Sequence, residues 1–300
     1  MRAWIEAMRL RTLPVSIAGV VAGTACACHN NGFSLLPFLI CLFFAINSQI
    51  ISNFANEYYD FKNGIDRKGR EGFRRGVTEG DIQPNSMKRA IIILLFLDAA
   101  LGGSLIIWGG WWLIFIGITV FCFALAYSTG PYPLSHHGLG DIAVVVFFGI
   151  VPVVFTEYVQ TRLFPQSYVT WFTAIAIGLM AANVLIVNNY RDMEDDQEVS
   201  KRTTVVIFGR KIMASVYFAD GCFGALFLSM ASSSLPFWVS AGWLIYLFLH
   251  TELWVRLRQR RGKDLNPLLK QTSLLLLGVA VYLLIIFSTL KTNQDLYIPI

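Results

Sequence analysis

The chain has 300 residues, of which 55% are hydrophobic and only 14% are charged. Its mean hydropathy is +0.57. This composition excludes an ordinary soluble domain of this length and predicts a membrane protein. The net charge of +5 does not indicate a nucleic-acid partner, because the positions of Lys and Arg in a membrane chain matter more than their sum.

Nine apolar segments, separated by polar breaks, can be distinguished along the chain. A helix needs about 20 mostly apolar residues to cross a bilayer, so each segment predicts one transmembrane helix. The predicted limits are 13–29, 35–56, 89–108, 111–128, 141–159, 168–189, 212–230, 236–255 and 271–290. The predicted fold class is all-α: a polytopic membrane helix bundle of nine transmembrane helices, forming a single domain over residues 1–300.

The distribution of basic residues supports this topology. With the N-terminus in the cytoplasm, nine crossings leave only Arg162 and Lys291, of 24 Lys and Arg residues, on the outer side. Such an asymmetry is what the positive-inside rule predicts, and an error of one span would destroy it. The expected location is a bacterial inner membrane, with the N-terminus and the active site in the cytoplasm and the C-terminus outside.

The first of two long polar stretches begins at the cytoplasmic end of the second segment. Asn53, Asn56 and Asp60 are three and four residues apart there, so they share one face of a helix. Asp66 would leave that face if the helix continued. Gly64 is placed to end the helix, however, so that Asp66 can return to the same site.

The second polar stretch repeats this arrangement after the sixth segment. Asp192 and Asp196 are four residues apart, and Asn188 and Asn189 precede them by about one turn. The recurrence suggests two related halves with a site between them. Ordinary juxtamembrane charge is the alternative interpretation, and it is favoured for Arg67, Lys68, Arg70 and the basic run 256–263.

Two opposed clusters of carboxylates at the membrane surface are costly unless a cation neutralises them. Oxygen ligands indicate Mg²⁺, which usually completes its octahedron with water and substrate phosphates. The sequence therefore predicts a diphosphate bridged through Mg²⁺ between the clusters. Basic residues of the two stretches can contact the phosphate oxygens, Lys201 being favoured. These residues are Arg74, Arg75, Lys88, Arg191, Lys201 and Arg202.

A third cytoplasmic loop, YSTGPYPLSHHGLGD at 127–141, contains no Lys or Arg and could hold an organic acceptor. Asp141 either complements a helix dipole or belongs to the site. His136 and His137 are either exposed loop residues or part of the site. Tyr127, like Tyr58 and Tyr59, could face a cation formed in the pocket. Asp98 and Asp220, inside predicted spans, are either functional or satisfied structural contacts.

With these motifs the chain resembles the UbiA superfamily of intramembrane prenyltransferases, over nearly its whole length. Four segments are most similar to the MenA branch, which prenylates 1,4-dihydroxy-2-naphthoate for menaquinone biosynthesis. They are NEYYDFKNGID at 56–66, RG at 75–76, GPYP with GLGD within 130–141, and NNYRDMEDDQEVSKRT at 188–203. The chain departs from this pattern at Glu57, where Asp is common, and at Ser135, where some relatives carry Lys.

The resemblance implies an isoprenyl diphosphate and an aromatic acceptor as partners, within a lipid bilayer and without nucleic acid. It implies that Mg²⁺ and diphosphate are held by Asn56, Asp60, Asp66, Asp192 and Asp196. It also implies that Lys201 and Arg75 contact the phosphate. Asn188 and Asn189 would support the second motif. Asn53, Arg191, Tyr127 and Asp141 are the further substrate-binding candidates. The implied reaction is ionisation of the allylic diphosphate, followed by ring attack and loss of CO₂.

Three other functions are alternatives for such a chain. A member of the same family could use another acceptor, such as 4-hydroxybenzoate or another quinone or lipid precursor. A CDP-alcohol phosphatidyltransferase also uses aspartates and Mg²⁺, but its DGxxAR motif is absent from the sequence. A cation-coupled transporter would place its acidic residues near the bilayer midplane rather than at one face.

Overall fold

A computed structural model describes residues 2–66, 68, 74–128 and 132–290 of the chain. Within these ranges the chain is helical apart from turns, loops and an isolated bridge between His137 and Arg202. In chain order the α-helices are α1 (Arg2–Met8), α2 (Leu13–His29), α3 (Leu35–Lys62), α4 (Gly76–Glu79), α5 (Pro84–Ser104), α6 (Ile106–Gly109), α7 (Leu113–Ser128), α8 (Gly140–Val144), α9 (Val151–Thr161), α10 (Tyr168–Arg191), α11 (Met193–Glu198), α12 (Thr204–Ala231), α13 (Ser240–Gln259) and α14 (Asn266–Thr289).

Each of the nine predicted segments coincides with helix in the described chain, and the all-α membrane fold is confirmed. Six helical segments there are long and apolar enough to cross a bilayer. The bent pair α1 and α2 would make a seventh, and α7 is shorter. Length and composition therefore do not establish the predicted count of nine. The break predicted at Gly109–Gly110 is present, because α6 ends at Gly109 and Gly110 has a φ of +82°.

Several helices continue beyond the predicted limits on the side that carries the motifs. The helix α3 runs to Lys62 rather than to residue 56, and α12 begins at Thr204 rather than at 212, with a kink at Gly209 (φ +77°). Hydropathy detects only the part of a helix that lies in hydrocarbon, whereas backbone hydrogen bonds carry the helix into the polar layer. As a result, Asp60 lies on α3 itself, as its spacing from Asn53 and Asn56 predicted.

The helix α10 lies at the centre of the bundle and packs on α12, α14, α2 and the π-helical turn Val145–Ile150 between α8 and α9. In the most apolar stretch of α10, 72% of the residues are buried, whereas in that of Pro84–Gly109 only 6% are buried. The second motif thus follows the most deeply buried of the six apolar segments. The α5–α6 segment, by contrast, is peripheral and packs mainly on α3.

The backbones of α10 and the π-helical turn are in direct contact through two glycines. A Cβ atom on Gly149 would lie 2.6 Å from both the carbonyl oxygen of Ala174 and the amide nitrogen of Gly178. Backbone atoms cannot move aside as the end of a side chain can. Small residues at such crossings let membrane helices approach closely. This contact fixes α8, which carries Asp141, against α10.

We expect Gly149→Ala to destabilise the protein by about 1–3 kcal/mol, because the added methyl group overpacks this crossing. Thermal unfolding of the purified protein in detergent measures the effect. Gly278→Ala is the matched control, since a Cβ there would meet no described atom within 4 Å. Equal melting temperatures for the two variants would contradict the role of the glycine contact.

Candidate functional site

The first motif is formed by the end of α3 and the turn that follows it. The helix ends at Lys62, and Gly64 adopts a left-handed φ of +67°. The amides of Ile65 and Asp66 then donate to the carbonyl oxygen of Asp60, at 2.9 and 3.3 Å. The chain therefore folds back on the helix end, and the predicted turn at Gly64 is present.

Arg75 joins the two carboxylates of this motif. Its Nη2 lies 3.4 Å from Oδ2 of Asp60, and its Nε lies 3.3 Å from Oδ2 of Asp66. All three side chains are buried, so the pairing acts in a medium where charges interact more strongly than in water. Glu57, by contrast, accepts a hydrogen bond from the Val77 amide at 3.0 Å and supports the chain after Arg75.

The second motif is held by Arg191, the last residue of α10. Its Nε and Nη2 donate to the two carboxylate oxygens of Asp192 at 2.7 and 2.8 Å. It also donates to the side-chain oxygens of Asn188 (2.8 Å) and Asn266 (3.0 Å). Arg191 is 2% exposed. Its guanidinium thus positions Asp192. The sequence had predicted that Arg191 contacts phosphate.

Asp196 and Lys201 form the other half of the second motif. The amide of Asp196 donates to the carbonyl of Asp192 at 2.8 Å, so the predicted one-turn spacing is present. Nζ of Lys201 lies 3.4 Å from Oδ1 of Asp196, and its amide donates to the carbonyl of Asp196 at 2.8 Å. Ser200 between them has a φ of +57°, a left-handed conformation that costs about 1–2 kcal/mol outside glycine. This turn directs Lys201 back toward the aspartate.

A polar cavity of about 140 Å³ lies between the asparagine residues of the two motifs, and the four motif aspartates are not among its lining residues. The predicted residues that line it are Asn53, Asn56, Tyr127, Asp141, Asn188, Asn189 and Lys201. The cavity therefore brings together side chains from both halves of the sequence.

The loop before α8 closes one side of this cavity. Oδ2 of Asp141 accepts a hydrogen bond from the Thr204 hydroxyl at 2.6 Å, and Oδ1 has no hydrogen-bond partner among the described residues. Arg202 donates its amide to the carbonyl of His136, which ties the loop to the second motif. Burial lowers the pKa of His136, and the nearby Lys201 ammonium acts in the same direction. Gly130 and Pro131 of the predicted loop motif lie outside the described residues, as do Arg67, Arg70 and Lys291.

A second, apolar cavity of about 710 Å³ adjoins the polar one. It lies between α3, α5, α7 and α9, and its walls are largely aliphatic and aromatic. Residues common to the walls of both cavities are Gln49, Ser52, Tyr127, Val144 and Phe148. Asp98 borders the apolar cavity but accepts hydrogen bonds from Asn47 (2.6 Å) and Ser48 (2.5 Å), so it is a satisfied contact between α3 and α5.

Sequence reasoning missed six polar residues of the cavity wall: Arg9, Thr12, Gln49, Ser52, Thr203 and Thr204. Arg9 looked like one of several basic residues that set topology, and Gln49 lies within an apolar segment. Asn53 lines the cavity as predicted, but its amide also donates to the carbonyl of Met8 at 3.0 Å. Gln49 could have been identified from the sequence, because it is a polar residue inside an apolar segment.

The donor chemistry of the two motifs fits a hard divalent cation. Carboxylate and amide oxygens from Asn56, Asp60, Asp66, Asp192 and Asp196 are available, and the four carboxylates are buried. In the described chain no three His, Cys, Asp or Glu residues are close enough to hold a metal by themselves. Mg²⁺ does not need such a cage, since it binds through one or two carboxylates together with water and phosphate oxygens.

Comparisons with known proteins agree with this geometry. The UbiA prenyltransferase family matches residues 16–274. The 1,4-dihydroxy-2-naphthoate octaprenyltransferase of Escherichia coli is 34% identical over 282 residues, covering 90% of both chains. The enzyme of the same name from Haemophilus influenzae is 32% identical and covers 94% of both.

Solved structures show the same fold at lower identity. A UbiA homolog from Archaeoglobus fulgidus, bound to GPP and Mg²⁺, superposes with a TM-score of 0.67 at 16% identity. The alignment covers 96% of this chain and 100% of that one. A UbiA homolog from Aeropyrum pernix gives a TM-score of 0.68 at 12% identity, with 89% and 96% covered. The chain belongs to the UbiA prenyltransferase family.

Proposed function

We propose that this protein transfers a prenyl group from an isoprenyl diphosphate to 1,4-dihydroxy-2-naphthoate, with loss of the acceptor carboxylate, in menaquinone biosynthesis. The observation that carries the proposal is the junction of the two cavities at Gln49, Ser52 and Tyr127. A polar chamber between two carboxylate motifs meets an apolar chamber there. A molecule with a charged head and a long hydrocarbon tail matches this pair of chambers.

The diphosphate head belongs at the two motifs. Asn56, Asp60, Asp66, Asp192 and Asp196 would hold Mg²⁺, which when bound neutralises the diphosphate and stabilises it as a leaving group. Arg75 and Lys201 now pair with motif carboxylates at 3.3–3.4 Å. On substrate binding they would contact phosphate oxygens as well. Arg191 stays with Asp192 and keeps that carboxylate oriented.

The prenyl tail belongs in the apolar cavity, and the acceptor ring at the junction, beside Tyr127 and Asp141. In the transfer, the C–O bond to the diphosphate breaks and a C–C bond forms to the ring carbon that carries the carboxylate. The carboxylate leaves as CO₂ and returns its bonding electron pair to the ring. No proton has to be removed from that carbon, so the site needs no general base for this step.

The naphthoate acceptor is supported by the relatives, since enzymes named 1,4-dihydroxy-2-naphthoate octaprenyltransferase are 34% and 32% identical to this chain over most of their length. The same fold in another family member could serve 4-hydroxybenzoate or another quinone or lipid precursor. The solved structures, at 12–16% identity, support the fold alone. The acceptor therefore needs a direct assay.

We expect purified protein to convert labelled prenyl diphosphate with 1,4-dihydroxy-2-naphthoate and to release one CO₂ per prenyl group transferred. With 4-hydroxybenzoate we expect less than about one hundredth of that rate, because a missing ring removes much of the apolar contact. Product formation and CO₂ release are measured in parallel for each acceptor. A preference for hydroxybenzoate, or naphthoate prenylation without CO₂, would contradict the proposal.

We further infer that the chain is one domain that crosses a bacterial inner membrane nine times. The six apolar segments, the bent pair α1 and α2, the shorter α7 and the less apolar α13 supply the nine helices. The helix ends that carry the motifs coincide with the basic segments. By the positive-inside rule, the N-terminus and the site face the cytoplasm and the C-terminus faces outward.

A further inference from the structure

The start of α14 makes a polar contact with the end of α10, beside the second motif. Nη1 of Arg191 donates to Oδ1 of Asn266, the first residue of α14, at 3.0 Å. An asparagine at the start of a helix commonly caps that helix, but the N-cap of α14 is Leu265, whose apolar side chain cannot do so. Asn266 instead contributes its side-chain oxygen to a neighbouring helix.

The guanidinium that receives this contact is also the one that holds Asp192. Its Nε and Nη2 donate to the two carboxylate oxygens of Asp192, and Nη2 also donates to Oδ1 of Asn188. The group is planar, so its donors keep fixed angles to one another. Asn188 and Asp192 lie within one turn of Arg191 in the chain, whereas Asn266 is 75 residues away. The bond to Asn266 therefore ties the orientation of the Asp192 carboxylate to a second helix.

The segment before α14 packs on the same end of α10. The 3₁₀ turn Gly262–Leu265 contacts α10, and Leu265 is fully buried. The guanidinium carbon of Arg261 lies 5.4 Å from the ring centroid of Tyr190, the residue before Arg191. Pro267, in the first turn of α14, has a fixed φ and stiffens the backbone next to Asn266. These contacts hold Asn266 in place relative to Arg191.

We propose that Asn266 is a positioning residue for Asp192, and that it acts through Arg191 to orient this carboxylate for a divalent cation. The inference rests on the proposed function, in which Asp192 is one of the residues that hold Mg²⁺, and it deepens that function. Octahedral coordination of Mg²⁺ tolerates little error in the direction of its ligands, so a rotated carboxylate binds it less well. Groups that orient metal ligands typically change metal affinity by about 10-fold to 100-fold when they are removed.

The test is metal binding by variants of Asn266 in detergent or nanodiscs. Electron paramagnetic resonance measures Mn²⁺ bound in the presence of geranyl S-thiolodiphosphate, an analogue whose C–S bond resists ionisation. We expect Asn266→Ala, which removes the acceptor oxygen, to raise the Mn²⁺ concentration for half-maximal binding about tenfold. Asn266→Asp keeps an acceptor oxygen at the same distance from the backbone and should stay within about threefold of wild type. Lys270→Gln is the matched control, an exposed residue one turn further along α14.

Kinetics and a further variant separate orientation of Asp192 from general support of the fold. In Asn266→Ala, saturating Mg²⁺ should restore kcat to within about threefold, and the KM for the acceptor should change less than about threefold. Asn266→Gln keeps the amide but moves its oxygen by one C–C bond, so it should also raise the Mn²⁺ constant if the alanine variant is poorly folded. An unchanged Mn²⁺ constant in a folded alanine or glutamine variant, even with a lower melting temperature, overturns the inference. Equal losses in Asn266→Asp and Asn266→Ala overturn it as well. Failure of wild type to bind Mn²⁺ with the analogue would instead overturn the proposed function.

Discussion

Asp60→Asn is expected to reduce prenyl transfer by about a hundredfold to a thousandfold while the protein still accumulates in the membrane. The substitution keeps the size of the side chain and one acceptor oxygen, but it removes a negative charge from the site where Mg²⁺ and diphosphate are proposed to bind. Arg75 retains Asp66 at 3.3 Å as a partner, so the variant does not leave a buried cation uncompensated. Activity is measured against Mg²⁺ concentration with saturating acceptor.

The structure makes Asp60 a cleaner test than Asp192. Asp192 is the carboxylate partner of the buried Arg191, so its removal would destabilise the protein as well as the site. In the second motif Asp196→Asn is preferable, because its partner Lys201 is 16% exposed and can be solvated. Glu194→Gln is the matched control, an exposed carboxylate of the same short helix that pairs with Arg210. Normal activity in both aspartate variants would contradict the diphosphate assignment.

The sequence could predict the carboxylate motifs because their geometry is local. The spacing of Asn53, Asn56 and Asp60 fixes a helix face, and Gly64 allows the one conformation that turns Asp66 back. Asn188 and Asn189 likewise line the cavity from the end of α10. Each of these outcomes depends on about ten consecutive residues, over which backbone rules are sufficient.

The parts that could not be predicted depend on which helices become neighbours. Arg191 was expected to contact phosphate, but packing brings Asn266 from the start of α14 to its guanidinium, and Asp192 follows it in sequence. Arg9 lines the cavity next to Met8, whose carbonyl accepts a hydrogen bond from Asn53 on α3. The number of spans is equally hard to judge, since α7 is short and α13 is polar enough to fail a hydropathy test. No local pattern contains the contacts of Arg191 with Asn266 or of Asn53 with Met8.

Gly117→Phe is expected to shorten the prenyl chains that the enzyme accepts. Gly117 lies on α7 in the wall of the apolar cavity, and a Cβ atom there would meet no described atom within 4 Å. Tyr127, at the cavity junction, is ten residues further along the same helix, a rise of about 15 Å. A phenyl ring at position 117 would therefore obstruct the cavity well beyond the reacting end of the substrate.

Because the phenyl ring lies far from the junction, it should obstruct long prenyl tails and not short ones. A geranyl tail ends before the ring and should keep nearly full kcat/KM, whereas kcat/KM for octaprenyl diphosphate should fall at least about tenfold. Gly278→Phe on α14 is the control, with equally open space but outside the cavity wall. Pro84–Gly109, which forms one side of the cavity, is only 6% buried, so a tail could instead leave sideways into lipid. If both diphosphates are used equally well by Gly117→Phe, the tail takes that lateral route and the cavity is not its binding site.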